Sequence, residues 1–515
     1  MDGMRLAELV DTSRALAATR SRKAKVEALA AALRAAGPEE VETATAYLSG
    51  VLRQRRTGLG WRSLTELPEP VAASSLTVAE VHDLFEQISS VSGTGSRQTR
   101  TQLVAELFGR ATGEEQDYLR RLTTGELRQG ALDGLMLEAV AVAARIPVAA
   151  VRRAAMLAGG TLPVAVAALG GGDEALAGFG LEVGRPVRPM LASSAPDVAA
   201  ALAKLAPGSD VVVDGKLDGI RVQVHKYDGR VRVFTRTLED ITDRMPEVVE
   251  AVGALPAETI VLDGEAIALE GSGRPRPFQE TAARTASRLD VATLRGQVPL
   301  TSYFFDLLHL DGADLLDLPA RQRFAALSEA LPADLVVPRR TTGEPDEAQA
   351  FFDEMVGRGH EGVVVKSLDA TYEAGRRGAS WVKVKPRHTL DLVVLAVEWG
   401  SGRRSGTLSN IHLGARDRDG FTMLGKTFKG MTDEMLAWQT ERFLALETSR
   451  TSYVVHIRPE QVVEVAFDGI QTSSRYPGGM ALRFARVLRY RDDKTADEAD
   501  TVETVRALHD RRTEV

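Results

Sequence analysis

Residues 211–221 read VVVDGKLDGIR, and Lys216 has an acid two positions to either side, just where a run of valines ends. In an extended strand, positions i, i+2 and i+4 share a face, so Asp214, Lys216 and Asp218 are expected to project together. A lysine amine can act as a nucleophile toward phosphorus, but only without its proton, so the surroundings must work against an ordinary lysine value of about 10.4. Nearby cations and partial burial do so. Taken alone, a lysine beside an Asp-Gly turn is also an ordinary exposed feature, and the rest of the chain has to decide between the two.

Other residues have chemistry to match. In WVKVK (381–385), Trp381, Lys383 and Lys385 alternate onto one strand face while Val382 and Val384 take the other. The two lysines are therefore either cations aimed at a common site or a solvated strand edge. Glu265, in LDGE, and Glu361, in EGVVVK, are hard oxygen donors of the kind Mg²⁺ takes, usually as one carboxylate with phosphate and water oxygens. Phe305 lies in the apolar run TSYFFDLLHL, where the default place for a ring is the core. GFTMLGKT (420–427) satisfies the phosphate-loop expression G-x-x-x-x-G-K-T, but its variable positions are bulky and Phe428-Lys429-Gly430 breaks any following helix. We read it as a β-hairpin, with Lys426 at most touching nucleic acid.

These residues need elements to hold them. The 515 residues, 44% of them apolar, suffice for about three domains, and the lack of cysteine excludes disulfides and cysteine-ligated metal centres. The N-terminus lacks an apolar leader, and charges interrupt the apolar stretch from Leu132 to Leu169, so no membrane span is expected and a reducing cytoplasm is. The net charge of −7 argues against a general polyanion binder, yet residues 381–430 carry nine Lys/Arg against four acids. That segment is either a basic patch or a solvated strand surface.

The first 180 or so residues have helical spacing, with a stop at Gly37-Pro38 and a cap at Thr112 followed by Glu114 and Glu115. Between helices, SSVSGTGSRQTR (89–100) reads as a loop, either presenting N–H groups to phosphate or simply connecting. From Val183 short strands take over. VVVDGK, IRVQVHK and RVRVFTR, separated by Asp218-Gly219 and Asp228-Gly229, predict an antiparallel meander within an α+β region. After Pro386 short strands with glycine corners predict a small barrel, with one helix at TDEMLAWQTERFLALE and a solvated acidic tail beyond Asp492.

The motifs occur in one order: RPMLA (188–192), KLDGIR (216–221), FTRTLEDIT, LDGE, YFFDLL, EGVVVK, RRGASWVKVK and RFARVLRYRDDK, after an upstream LRQGALDGLMLEAVAVA. In this the chain resembles the ATP-dependent DNA ligases of the covalent nucleotidyltransferase superfamily over nearly its whole length. The resemblance implies a multidomain α and α+β protein: an all-helical N-terminal DNA-binding domain (1–182), an α+β adenylation domain (183–387) and a C-terminal OB-fold β-barrel (388–515). It implies that Lys216 takes AMP from ATP and passes it to the 5′-phosphate of nicked double-stranded DNA, which a 3′-hydroxyl then attacks. Arg221 and Arg236 would hold the ribose and phosphate side, Phe305 would stack on adenine, and Arg377 with Lys383 and Lys385 would meet the phosphates. Glu265 would reach the ribose and, with Glu361, Mg²⁺. Asp214 stands where the family usually has a glutamate on the adenine amino group, and Ala485 where a proline is common in the last motif. A monomer is expected. An RNA ligase or capping-type guanylyltransferase would use the same lysine, and a non-catalytic clamp the same fold; the N-terminal helices favour the DNA enzyme.

Overall fold

The computed structural model describes residues 3–514 except 55, 128, 131–132, 206–208, 288–289 and 375–376, and only the backbone at 377–379 and 510–514. Parts of the LRQGALDG segment therefore lie outside the described residues. Between Leu6 and Ala177 the regular structure is helical, as the spacing predicts. Helix Arg22–Ala35 stops just before Gly37-Pro38. Helix Gly113–Thr124 opens on a reciprocal cap, with the Thr112 N–H donating to Glu115 (2.8 Å) and the Glu115 N–H to Thr112 Oγ1 (3.4 Å). The apolar faces meet around Leu6, Leu9, Tyr47, Phe85 and Phe108, all fully buried.

The loop expected over 89–100 is shorter than predicted. Helix Val78–Ser90 runs into it and helix Ser96–Gly109 begins inside it, so Arg97 and Arg100 are helical. Arg100 donates to the Val91 carbonyl, which ties the connector to itself.

Among the described residues the central region holds ten strands: β1 (Leu191–Ser194), β2 (Val211–Lys216), β3 (Ile220–Tyr227), β4 (Arg230–Thr235), β5 (Ile260–Ala268), β6 (Leu300–Leu310), β7 (Ala313–Asp314), β8 (Arg339–Thr342), β9 (Gly362–Ser367) and β10 (Arg377–Val384). They form two sheets, in the orders β1-β10-β9-β2-β8 and β4-β3-β5-β6-β7. Among the described residues β1 and β10 are the one pair of these strands that runs parallel. The meander prediction holds for β3 and β4, whose hairpin places Asp228 and Gly229 at φ 49° and 68°. It fails for β2, which pairs with β8 and β9 in the other sheet. Leu217–Gly219 therefore carries the chain from one sheet to the other. Gly219 is needed there for close approach: a Cβ would lie 2.3 Å from the Ala266 carbonyl oxygen. Each sheet has its own core, Val211, Val213, Val363 and Val382 in one and Val222, Val224, Leu262 and Phe304 in the other.

The C-terminal region continues with β11 (His388–Trp399), β12 (Leu408–Asp417), β13 (Gly420–Thr427), β14 (Glu447–Arg450), β15 (Val454–Ile457), β16 (Val462–Phe467), β17 (Gly469–Thr472), β18 (Met480–Arg483) and β19 (Arg486–Tyr490). β11 pairs with β16 along its first half and with β15 along its second, so the sheet bends. The ladder β13-β12-β11-β15-β14 ends at β13 and β14 among the described residues and does not close on itself. The region is β-rich but more open than the barrel expected. The phosphate-loop lookalike is β13, hairpinned with β12, and Lys426 is tied to Glu398 inside that sheet. The acidic tail is not wholly solvated either: helix Val502–Glu514 buries Val502 and Val505 in the core of the C-terminal region.

Candidate active site

A cavity of about 590 Å³ opens between the two central sheets, and it receives Asp214, Lys216, Arg221, Arg236, Glu265, Phe305 and Lys383. Strand register accounts for most of this convergence. Arg221 on β3 lies opposite Glu265 on β5, and Lys216 on β2 lies opposite Gly362 on β9, which brings Glu361 alongside. Asp214 and Lys216 share the cavity face as alternation requires, but Asp218 falls beyond the strand end and pairs with Arg483 (3.0 Å).

Phe305 is placed by a fault in the β5–β6 ladder. Asp263 pairs with Asp306 and Gly264 with Phe304, so Phe305 is the unpaired residue of a bulge. Phe304 goes fully into the core and Phe305 turns to the cavity, edge-on to Trp381 with ring centroids 5.8 Å apart. Lys366 Nζ lies 4.5 Å from the Phe305 centroid and 4.2 Å from that of Trp381, which is a cation–π arrangement in the cavity wall.

The charged groups are held in pairs. Arg221 donates from Nε and Nη2 to Asp263 (3.0 and 2.6 Å) and from Nη1 to the Met190 carbonyl (2.6 Å). Burial pulls the guanidinium down, but Asp263 outweighs it and holds Arg221 above its ordinary range. Asp263 also accepts from the Tyr372 hydroxyl (2.7 Å). Asp214 accepts from Arg339 (2.7 and 2.9 Å) and Lys366 (2.6 Å). Burial would raise that carboxyl, yet the two cations keep it below the usual range. The side chain expected on the adenine amino group is thus already engaged by two partners.

Lys216 Nζ donates to Glu361 Oε2, and Lys385 Nζ to Glu361 Oε1. Burial would push Glu361 up, but the two ammonium groups hold it below the usual carboxylate range. Lys385 is not on the cavity wall; it bridges Glu361 to Asp468 (3.1 Å) in the C-terminal region, and Asp468 in turn accepts from Arg486 (3.1 Å). Arg236 is exposed at the cavity margin beyond β4. The backbone of Arg377 opens β10, and its side chain lies outside the described residues.

Among the described residues no three acidic or imidazole groups cluster as a ready metal cage. Glu265, half-buried in the cavity wall with Lys216 and Arg221 near it, has its carboxyl pushed up to about 7 by burial. A hard cation fits here only if phosphate and water oxygens complete its shell. The motifs missed Arg339, Tyr372 and Arg244, and gave no role to Asp263 inside LDGE. Of these only Arg244 lines the cavity, paired with Glu239 (2.8 Å).

Family models match three segments: residues 62–141 fit a "DNA ligase N terminus", 189–385 an "ATP dependent DNA ligase domain" and 404–494 an "ATP dependent DNA ligase C terminal region". A "Probable DNA ligase" of Nocardioides sp. is 64% identical over 510 residues, covering 98% of each chain. One of Beutenbergia cavernae is 64% identical over 514 residues, covering 98% of this chain and 99% of its own. The solved structure described as "Pmar-Lig_Pre." shares the fold at a TM-score of 0.62 and 19% identity, over 94% of this chain and 99% of that one. With a model spanning every strand of the cavity and relatives of nearly equal length, the chain belongs to the ATP-dependent DNA ligases, enzymes that form phosphodiester bonds.

Proposed function

We propose that the protein seals nicks in duplex DNA through an adenylyl group carried on Lys216, working as a cytoplasmic monomer in replication, repair or recombination. Lys216 Nζ attacks the α-phosphorus of ATP, forming the N–P bond as the bond to pyrophosphate breaks. The adenylyl group passes to the 5′-phosphate at the nick. The adjoining 3′-hydroxyl attacks that phosphorus, forms the phosphodiester and expels AMP. The observation that supports this most is the convergence of Lys216, Arg221, Glu265, Phe305 and Lys383, contributed by β2, β3, β5, β6 and β10, on one cavity.

Each group has a task the geometry allows. The Phe305 ring, re-aimed by its bulge, offers a flat face to the base. Arg221, fixed by Asp263, and Arg236 take the ribose and phosphate side, and Lys383 meets charge growing on the α-phosphate, where the family resemblance also puts Arg377 and Lys385. Because Glu361 holds Lys216, that ion pair must part before the amine can attack. Glu265 and Glu361 would hold Mg²⁺, which when bound neutralises phosphate charge. We read residues 1–182, 183–387 and 388–515 as three domains, the last an OB-fold, that together surround the duplex; binding is then through phosphates and indifferent to sequence.

The test is to incubate the protein with α-labelled ATP and Mg²⁺. An acid-labile label is expected on the wild type and not on Lys216→Ala, which should still bind nicked DNA. Label retained by Lys216→Ala, or acquired from GTP alone, contradicts the assignment.

A further inference from the structure

Behind the cavity wall formed by Asp214 and Phe305 sits a cation that no motif announces. Arg339, on β8, stands directly across the ladder from Asp214 on β2. Its Nε donates to Asp214 Oδ1 (2.7 Å) and its Nη2 to Asp214 Oδ2 (2.9 Å). The same Nη2 donates to the Phe305 carbonyl (2.9 Å), a group left outside the β5–β6 ladder by the bulge. The guanidinium carbon lies over Phe324, 4.0 Å from the ring centroid, a cation–π contact. Lys366 makes the parallel pair of contacts, to Asp214 Oδ2 (2.6 Å) and to the Phe305 carbonyl (3.3 Å).

One planar fork thus fixes two cavity residues at once, the acid at the base end and the ring beside it. A carboxylate offers about four lone-pair positions. Three are taken here, one on Oδ1 and two on Oδ2, so one position on Oδ1 is left. A purine edge bearing an amino group can donate to that remaining position. A purine with a carbonyl at the same place would set oxygen against carboxylate oxygen, which leaves a buried acceptor unpaired and repelled.

We infer that Arg339 is a positioning residue for base selection: by holding Asp214 and Phe305 in register it makes the cavity prefer adenine over guanine. The inference rests on the reading of this cavity as the nucleoside triphosphate site.

The test uses the full-length protein and measures label transfer from α-labelled ATP and from α-labelled GTP, with kcat and KM for each. Arg339→Lys keeps the buried charge but cannot span Asp214 and Phe305 together, and Arg339→Met removes the charge as well. The preference for ATP over GTP is expected to fall about tenfold or more in Arg339→Met, chiefly through a raised KM for ATP, and by less in Arg339→Lys. A role limited to general stability would lower both nucleotides alike and leave their ratio unchanged. If either variant folds and keeps the wild-type ATP:GTP ratio, the role of Arg339 is overturned. If the wild type takes label from neither nucleotide, or takes it at a residue other than 216, the functional reading beneath is what fails.

Discussion

Lys216 stands at the end of an alternating row of charges in which Glu361, Lys385, Asp468 and Arg486 follow in turn. Near it a second group joins half-buried Arg221 to Asp263 and Tyr372, both almost wholly buried. Replacing Asp263 with Asn leaves the Arg221 guanidinium without its counter-charge. A loss of about 3–5 kcal/mol is expected, together with adenylyl transfer, because Arg221 would turn away from the cavity. Thermal unfolding and label transfer check this; an unchanged melting temperature would contradict it. The residues proposed to act on substrate were legible because their types and order form a motif. Their supports were not, since Asp214 and Arg339 are 125 positions apart and meet only through strand pairing. Phe305 was legible as a stacking ring only by resemblance; on its own strand it read as core, and the bulge that turns it out leaves no mark in composition.

At the scale of elements, two Asp-Gly pairs that look alike do different work. Gly229 has φ 68° in the β3–β4 hairpin, with open space around it, whereas Gly219 sits against the β5 backbone where the chain crosses between sheets. Gly229→Ala should cost about 1 kcal/mol and leave adenylyl transfer at the wild-type level, while Gly219→Ala must displace β3 from β5 and should abolish transfer. Equal effects of the two on label transfer would refute the distinction. The helices and strands themselves were readable from period; that β2 leaves its expected partner was not, because turn chemistry reports a reversal and not which sheet the chain joins. On β3, His225 is fully buried, accepts from the Gly184 N–H (2.9 Å) and is pushed down to about 3 by burial, with Arg232 and His309 adding to the effect. A depressed histidine gives stability that is complete above the unfolded value of about 6.5 and is lost as pH falls toward 3, about 2 kcal/mol at pH 5. Denaturation at pH 7 and pH 5 should show that loss in the wild type and not in His225→Gln; equal slopes would contradict it.

Across the whole molecule, both flanking regions contact the central sheets. From the N-terminal side, Met156 and Leu157 pack with Tyr372 and Trp381 behind the cavity, and Arg153 pairs in bidentate fashion with Asp317 (2.6 Å each). From the C-terminal side, Arg483 holds Asp218 and Asp468 holds Lys385. The order of the three regions was legible in the change from helical to strand spacing. How they clasp was not, because each clasp joins residues far apart in sequence. Nicked-duplex binding should weaken about 10³- to 10⁵-fold between 50 and 200 mM salt if six to ten phosphates are contacted, despite the overall negative charge. Binding indifferent to salt would rule out a phosphate-tracking surface.

The central claim is that Lys216 carries the adenylyl group between ATP and DNA. The most direct measurement charges the protein with ATP, removes all free nucleotide, maps the adduct by peptide mass spectrometry and then adds nicked duplex. The account predicts one adenylyl group on Lys216 and one joined nick per charged molecule, with AMP released and the lysine regenerated. An adduct on another residue, or a charged protein that joins nothing until ATP is returned, would contradict it.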